Sequence, residues 1–110
     1  MDKNIEDEVE ELQILEQNLQ QLLMQKQVLQ TQLLEIDSAL EELSKDPKSV
    51  FKVSGEVMIE STREAVEKEF NFKKEMIDVK LKNITKQEDM LRQKVKEKQE
   101  YVLEHMKKNG

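Results

Sequence analysis

Few side chains in this sequence have the chemistry that catalysis requires. The 110 residues include one histidine, His105, and no cysteine, which excludes a disulfide, a thiolate metal site and a cysteine nucleophile. Ser-His-Asp catalysis needs a histidine that neighbouring groups orient, and His105 lies near the end of a helical pattern with no evident scaffold around it. No glycine-rich loop is present that could cradle a phosphate group. We therefore predict no enzyme activity and no catalytic, cofactor-binding or metal-binding residues.

Charged residues make up 38% of the chain and are unevenly distributed. Residues 1–44 contain 2 Lys against 11 Asp and Glu, whereas residues 62–110 contain 13 Lys and Arg against 10 Asp and Glu. An acidic first part and a mildly basic second part favour antiparallel pairing of the two. The net charge of −6 argues against nucleic-acid binding, which depends on Lys and Arg at the phosphates.

Two groups of side chains have alternative interpretations. The acidic run within residues 2–11 could dock a partner, but such a run more often complements the positive end of a helix dipole. The methionines at positions 24, 58, 76, 90 and 106 could form an adaptable binding surface, although core filling is their more frequent role. Met106, near a free end, is the best candidate for binding.

The composition is typical of long helices rather than of a globular core. Aromatic residues make up only 4% of the chain, and Leu, Glu, Gln and Lys dominate it. Pro47 and Gly55 are the only interior proline and glycine, which places the boundaries of a central segment near residues 45 and 61. We therefore predict a single unit over residues 1–110, with helix 1 at 3–44, a linker and β-hairpin at 45–61, and helix 2 at 62–108.

A heptad pattern of apolar residues follows the first helix and indicates a coiled coil. Only Glu8 and Lys26 interrupt its seam. The seam consists of Ile5, Glu8, Leu12, Leu15, Leu19, Leu22, Lys26, Leu29, Leu33, Ile36, Leu40 and Leu43. The helix should end before Asp46 and Pro47, because proline disfavours α geometry in the residue ahead of it.

The second helix has a weaker seam and a wider apolar band. Its seam consists of Phe70, Ile77, Leu81, Ile84, Leu91, Val95, Val102 and Met106, with polar breaks at Lys74, Glu88 and Lys98. Five apolar residues lie off this seam, and they indicate further contacts in an assembly or with a client. They are Phe72, Met76, Val79, Met90 and Leu103.

The start of the second helix and its pairing with the first are also predicted. Ser61 and Glu64 have the spacing of a capping box, with Ser61 as the N-cap residue. Two helices of similar length with a short connection fold back on each other. The predicted fold is therefore mainly α, an antiparallel two-helix coiled coil, and its register places Glu8 near Lys98 to within about one helical turn.

The central segment, SVFKVSGEVMIES, is the one stretch without a helical pattern. We predict strands at about residues 49–53 and 56–60, joined by Ser54 and Gly55 in a type I′ turn. A hairpin alone cannot bury the six bulky apolar residues of the segment, and unpaired sheet edges promote aggregation. We therefore predict that hairpins of several chains close into a shared sheet or β-barrel. The predicted oligomerisation residues are Val50, Phe51, Val53, Gly55, Val57, Met58 and Ile59.

Neither the N-terminus nor the apolar runs have the pattern of a signal peptide or a membrane span. The sequence MDKNIEDEVEE is acidic and has no apolar signal core. No run approaches the ~18 apolar residues of a membrane span. A cytoplasmic protein without membrane association is expected.

The order of helix, V-F-K-V-S-G-E-V-M-I hairpin and helix resembles the β-class subunit of prefoldin, most closely the archaeal type. The resemblance covers essentially the whole chain and is most specific over residues 47–59, with Phe51-Lys52 and with Gly55 at the turn. Phe51 stands where the family often has Tyr, and Ser54-Gly55-Glu56 varies a usual Val-Gly-Asn-like turn. The α class has two hairpins between its helices, whereas this segment has room for only one.

The resemblance implies a molecular chaperone subunit in a hexamer of two α-class and four β-class subunits, whose hairpins form an intersubunit β-barrel. It implies an ATP-independent holdase that captures non-native proteins at the coiled-coil tips and delivers them to a group II chaperonin. Terminal turns fray because their end groups lack intrahelical partners, so apolar residues there could contact clients. The predicted client-binding residues are Ile5, Val9, Leu12, Val102, Leu103 and Met106.

Two other functions remain open from the sequence. The alternative is a homo-oligomeric coiled-coil scaffold or tether, in which the hairpin drives assembly only. A helical arm of an enzyme, such as a tRNA-docking arm, is disfavoured by the acidic charge. Mixing the chain with an α-class partner distinguishes the chaperone subunit from the scaffold.

Overall fold

The computed structural model describes the backbone of residues 3–109 and the side chains of residues 4–107. Its elements are the helix α1 (Lys3–Ser44), the strands β1 (Val50–Ser54) and β2 (Val57–Ser61), and the helix α2 (Arg63–Asn109). The two strands form one antiparallel hairpin between the helices. The prediction of a mainly helical chain with a single hairpin between two long helices is therefore confirmed.

The end of α1 is fixed by the backbone just before the proline. The amide of Lys45 donates to the carbonyl of Glu42, and the amide of Asp46 donates to that of Leu43, both at 3.2 Å. Asp46 has φ of +57°, a left-handed conformation that commonly ends helices and that aspartate tolerates better than most residues. The helix therefore ends ahead of Pro47, as the sequence predicts.

The start of α2 differs from the predicted capping box. Ser61, the predicted N-cap residue, is the last residue of β2 and pairs with Val50. Thr62 is the N-cap residue instead, since its Oγ1 accepts a hydrogen bond from the amide of Ala65 at 3.2 Å. The strand pairing retains Ser61 in the sheet, so the cap moves to the next residue with a side-chain hydroxyl.

The chain divides into two compact units. The terminal unit contains α1 as far as Gln27 and α2 from Lys82 onward, and the hairpin unit contains residues 28–81. In the terminal unit Glu8 contacts Lys98 and Lys26 contacts Glu88, so its two helical segments are antiparallel. Its buried apolar residues are Ile5, Leu22 and Val102.

The predicted seam of α1 is confirmed at every position, because all twelve residues are buried or half-buried. The predicted seam of α2 is wrong at its last residue. Met106 is 48% exposed, whereas His105 is half-buried. His105 follows Val102 by three residues and so continues the alternating three- and four-residue spacing of a heptad seam.

The hairpin unit has the same kind of packing. Ile36 and Leu43 of α1 and Ile77 of α2 are its buried apolar residues. The polar break at Lys74 is accommodated because its Nζ lies 2.8 Å from Asp37 Oδ1, and this contact raises the pKa of Lys74. Lys74 thus remains in the seam while its charge is paired at the edge of the interface.

The polar break at Glu88 forms an ion-pair layer inside the terminal unit. Glu88 is 9% exposed and is the one buried charged residue in the described part of the chain. Its carboxylate lies 2.9 Å from Lys26 Nζ and 2.9 Å from Arg92 Nε. The hydrogen bond from Lys26, followed by that from Arg92, lowers the pKa of Glu88 below its ordinary value.

Replacement of this layer tests its contribution. Glu88→Ala should lower the midpoint of thermal unfolding, because Lys26 remains partly buried without its partner. The double variant Lys26→Leu/Glu88→Leu should restore or exceed the wild-type midpoint, since it removes both charges and completes the leucine seam. The measurement is thermal unfolding followed by circular dichroism.

Glu100→Ala, at an exposed position of α2, is the matched control and should not change the midpoint. Because the folded-state pKa of Glu88 is lowered, its contribution is present above the ordinary pKa of 4.5 and is lost as the pH falls through the lowered value. A Glu88→Ala shift no larger than that of the control would contradict the assignment.

Candidate functional site

The hairpin contains all the predicted oligomerisation residues, with a turn one residue later than predicted. Ser54 pairs with Val57, so Gly55 and Glu56 form the loop. Among the described residues only Gly55, with φ of +61°, and Asp46 have positive φ. Positive φ at the first loop residue alone is typical of a type II′ turn. The predicted type I′ turn is therefore wrong, because Gly55 occupies the first loop position rather than the second.

The pairing register defines two faces of the hairpin, since side chains alternate along a strand and paired residues share a face. Lys52 pairs with Ile59, and Val53 pairs with Met58. We call the face with Lys52 the inner face, because the Lys52 side chain reaches α2. The inner face carries Val50, Lys52, Ser54, Val57, Ile59 and Ser61, and the outer face carries Phe51, Val53, Met58 and Glu60.

Both faces of the hairpin expose apolar side chains. Val50 is half-buried, and five others are between 51% and 68% exposed, namely Phe51, Val53, Val57, Met58 and Ile59. Among the described residues each strand has only the other as a neighbour, so the outer edge of each has free backbone donors and acceptors. Such edges accept further strands.

Two ion pairs lie within the hairpin unit, one between the hairpin and α2 and one between the ends of the two helices. Lys52 Nζ lies 3.0 Å from Glu69 Oε2, and the Lys52 hydrogen bond is the main cause that lowers the pKa of Glu69. Arg63 Nη1 lies 3.1 Å from Asp46 Oδ1, so the start of α2 is tied to the end of α1. The sequence did not predict these pairs, because no helical or strand periodicity relates residues 17 positions apart across a turn.

The structure divides the predicted client-binding residues by exposure. Ile5 and Val102 are buried, at 2% and 6% exposed, while Val9 and Leu12 are half-buried. Leu103 and Met106 are 60% and 48% exposed. These two residues are three apart on α2 and therefore share one face of the helix. The six residues thus do not form one exposed surface.

Charged groups hold the helices together next to these residues. Lys98 hydrogen-bonds Glu8, so the predicted proximity of these two seam breaks is confirmed. Lys98 Nζ also lies 2.6 Å from Glu11 Oε2. Glu11 first and Glu8 second raise the pKa of Lys98 above its ordinary value, so the ammonium is charged at neutral pH. The contact between Glu11 and Lys98 was not predicted, although the i, i+3 spacing of Glu8 and Glu11 places both carboxylates on one face of α1.

The single histidine takes part in local helix contacts. Its ring stacks on that of Tyr101 with 3.9 Å between the ring centres, and Nδ1 lies 2.9 Å from the Tyr101 carbonyl oxygen. Within residues 3–109 no group of His, Asp and Glu is arranged to hold a metal ion. None of the described helices is long and apolar enough to span a membrane.

Comparison with known proteins identifies similar sequences and a similar structure. A family model described as "Prefoldin subunit" matches residues 6–109. The prefoldin subunit beta of Caldivirga maquilingensis is 36% identical over 95 residues, which cover 84% of this chain and 78% of the relative. That of Sulfurisphaera tokodaii is 33% identical over 99 residues, covering 88% and 79%.

A solved structure agrees with these sequence relatives. The crystal structure of the prefoldin beta subunit from Thermococcus strain KS-1 superimposes with a TM-score of 0.87 and 27% sequence identity. The match covers 94% of this chain and 93% of that chain. The similarity therefore includes both helices and the hairpin between them.

The conformation of Gly55 gives a prediction for the hairpin. Gly55→Val should cost ~1–2 kcal/mol of hairpin stability, because a residue with a Cβ is strained at positive φ. Nothing lies within 4 Å of the added Cβ, so the cost arises from the backbone alone. The hairpin amides should lose their dispersed NMR shifts, while the helical circular dichroism signal is retained.

Gly55→Asn is the matched control, since asparagine also adds a side chain but tolerates left-handed φ. It should retain most of the dispersed hairpin signals. Equal behaviour of the two variants would show that the glycine is not required for the turn.

Proposed function

The chain belongs to the prefoldin family, a family of chaperone subunits, and on this premise we propose that it is a β-class subunit of a cytoplasmic, ATP-independent holdase. The proposed complex is a hexamer of two α-class and four β-class subunits. It captures non-native proteins and delivers them to a group II chaperonin, and this subunit has no enzymatic role. The observation that carries the proposal is the exposed apolar hairpin in a chain of this family.

The hairpin provides the assembly element of the proposal. Burial of one Val, Ile, Met or Phe side chain contributes ~1.5–3 kcal/mol relative to full exposure. Five such side chains are at least half exposed on each hairpin, and the strand edges add backbone hydrogen bonds. Several hairpins that close into one barrel can therefore offset the ~4–15 kcal/mol that each association costs in lost freedom.

The exposed pair of residues in the last turns of α2 provides the proposed client contact. Leu103 and Met106 are apolar, exposed and on one helical face, and the thioether of Met106 adapts to differently shaped partners. Contacts of this size are weak individually. Several subunits that each present such a pair to one client bind by multivalency, and this binding requires no nucleotide.

Assembly with a partner tests the proposed function. The chain mixed with an α-class prefoldin subunit should form a hexamer of two α-class and four β-class chains, measured by native mass spectrometry. The hexamer should suppress aggregation of a denatured test protein such as citrate synthase without added nucleotide. A stable assembly of this chain alone, with no effect on aggregation, would instead indicate the homo-oligomeric scaffold.

The client contact is tested in the assembled hexamer. Leu103→Ser/Met106→Ser should weaken suppression of aggregation about fivefold, equivalent to a loss of about 1 kcal/mol of binding energy. The hexamer should keep two α-class and four β-class chains, because neither residue is part of the hairpin.

Met24→Ser/Val28→Ser is the matched control, since it also removes two exposed apolar side chains from one helix. It should retain suppression. Equal suppression by the Leu103/Met106 variant and the wild type would reject these residues as client contacts while leaving the assembly intact.

A further inference from the structure

A groove in the hairpin unit is lined by apolar side chains of the coiled-coil seam and by exposed apolar side chains beside it. Its volume is about 400 Å³. Ile36 and Ile77 are buried, whereas Phe72 and Met76 are 63% and 47% exposed. The groove is lined by Gln32, Ile36, Phe72, Lys73, Met76, Ile77 and Lys80, and thus by both helices.

The charge of this groove is positive although the chain is acidic. Lys73 and Lys80 line it, and no carboxylate does. Lys73 Nζ lies 3.5 Å from Glu69 Oε1 and 5.8 Å from the centre of the Phe70 ring. Lys80 has no ion-pair or hydrogen-bond partner among the described residues. The groove therefore combines apolar surface with a cation that the fold leaves unpaired.

We propose that the groove docks an acidic amphipathic helix of another protein. A third helix packs well in the groove between two packed helices, with apolar anchors at i, i+3 or i+4, and i+7. Lys73 and Lys80 are seven residues apart, so their Cα atoms are separated by about 10 Å along α2. Two carboxylates seven residues apart on the docked helix have the same spacing and complement both lysines.

The exposed apolar stretch of α1 does not supply such a helix from a second copy. The exposed apolar residues of α1 lie between Ile14 and Leu34. That stretch contains one acidic residue, Glu16, and therefore no pair of carboxylates seven residues apart. In α2, Glu97 and Glu104 are seven apart, so docking of a second copy is an outcome that the test below distinguishes. The occupant proposed from the charge of the groove is a different protein, with an acidic face beside its apolar residues.

Fluorescence anisotropy with two synthetic helical peptides tests this proposal on the full-length chain. One peptide of about 21 residues, long enough to form a helix, carries Leu at heptad positions and Glu at flanking positions seven apart. The other has Lys in place of each Glu. The acidic peptide should bind on the order of tenfold more tightly, since two exposed charge pairs together contribute about 1.4 kcal/mol.

Substitutions of residues that line the groove test whether the peptides bind there. Lys73→Glu/Lys80→Glu should reverse the preference between the two peptides, whereas Lys94→Glu/Lys96→Glu, the same charge change elsewhere on α2, should retain it. Phe72→Ser/Met76→Ser should weaken binding of the acidic peptide about tenfold. All three pairs comprise exposed side chains, so circular dichroism should show wild-type helix content.

Three results would overturn the proposal. The two peptides could bind the wild type equally, or the Lys94/Lys96 control could reverse the preference as well. Sedimentation could instead show a self-associated wild type that Phe72→Ser/Met76→Ser dissociates, which would assign the groove to a second copy. Each measurement is made without client or chaperonin, so its failure is distinct from failure of the proposed chaperone function.

Discussion

Five apolar side chains of the hairpin are at least half exposed within the described part of the chain. Two strands form a sheet with two faces and two free edges, and here both faces are apolar at Val53, Met58 and Ile59. A hairpin of this size is marginal in water by itself. The ion pair Lys52–Glu69 attaches it to α2 but covers little of it. The proposed assembly would bury these side chains between hairpins of several chains.

The helices meet a different requirement, since they must pair along a narrow seam in one register. Leucine and isoleucine supply the packing, and the polar seam positions Lys26, Lys74 and Lys98 each find a carboxylate on the facing helix. Charge pairs of this type contribute little net stability compared with apolar residues. They restrict which registers are possible, because a shifted register would leave partly buried charges unpaired.

The sequence predicts those features that depend on periodicity or on one dominant residue. Seven-residue spacing identified the seam of α1 throughout, and Pro47 located its end. Details that depend on the competition of neighbouring residues were predicted wrongly. Ser61 and Thr62 both can cap α2, and the strand pairing decides for Thr62. The turn type depends on whether Gly55 is the first or the second loop residue. A shift of the strand boundaries by one residue changes that position.

The site was predicted less completely than the fold for a related reason. Heptad spacing places residues on a face but does not determine their exposure near the helix ends, where the predicted seam residue Met106 is exposed and His105 is half-buried. The groove beside Phe72 also requires the relative rotation of both helices, which the sequence of one helix does not contain. The off-seam position of Phe72, Met76 and Val79 was the available signal, and all three are exposed.

Hydrogen–deuterium exchange of this chain, alone and mixed with an α-class subunit, tests the central claim most directly. If the hairpin is the assembly element, amides on the free edges of β1 and β2 should become strongly protected on mixing. The amides of the last turns of α2, around Leu103 and Met106, should exchange at an unchanged rate. Protection of those last turns with an unchanged hairpin would contradict the account.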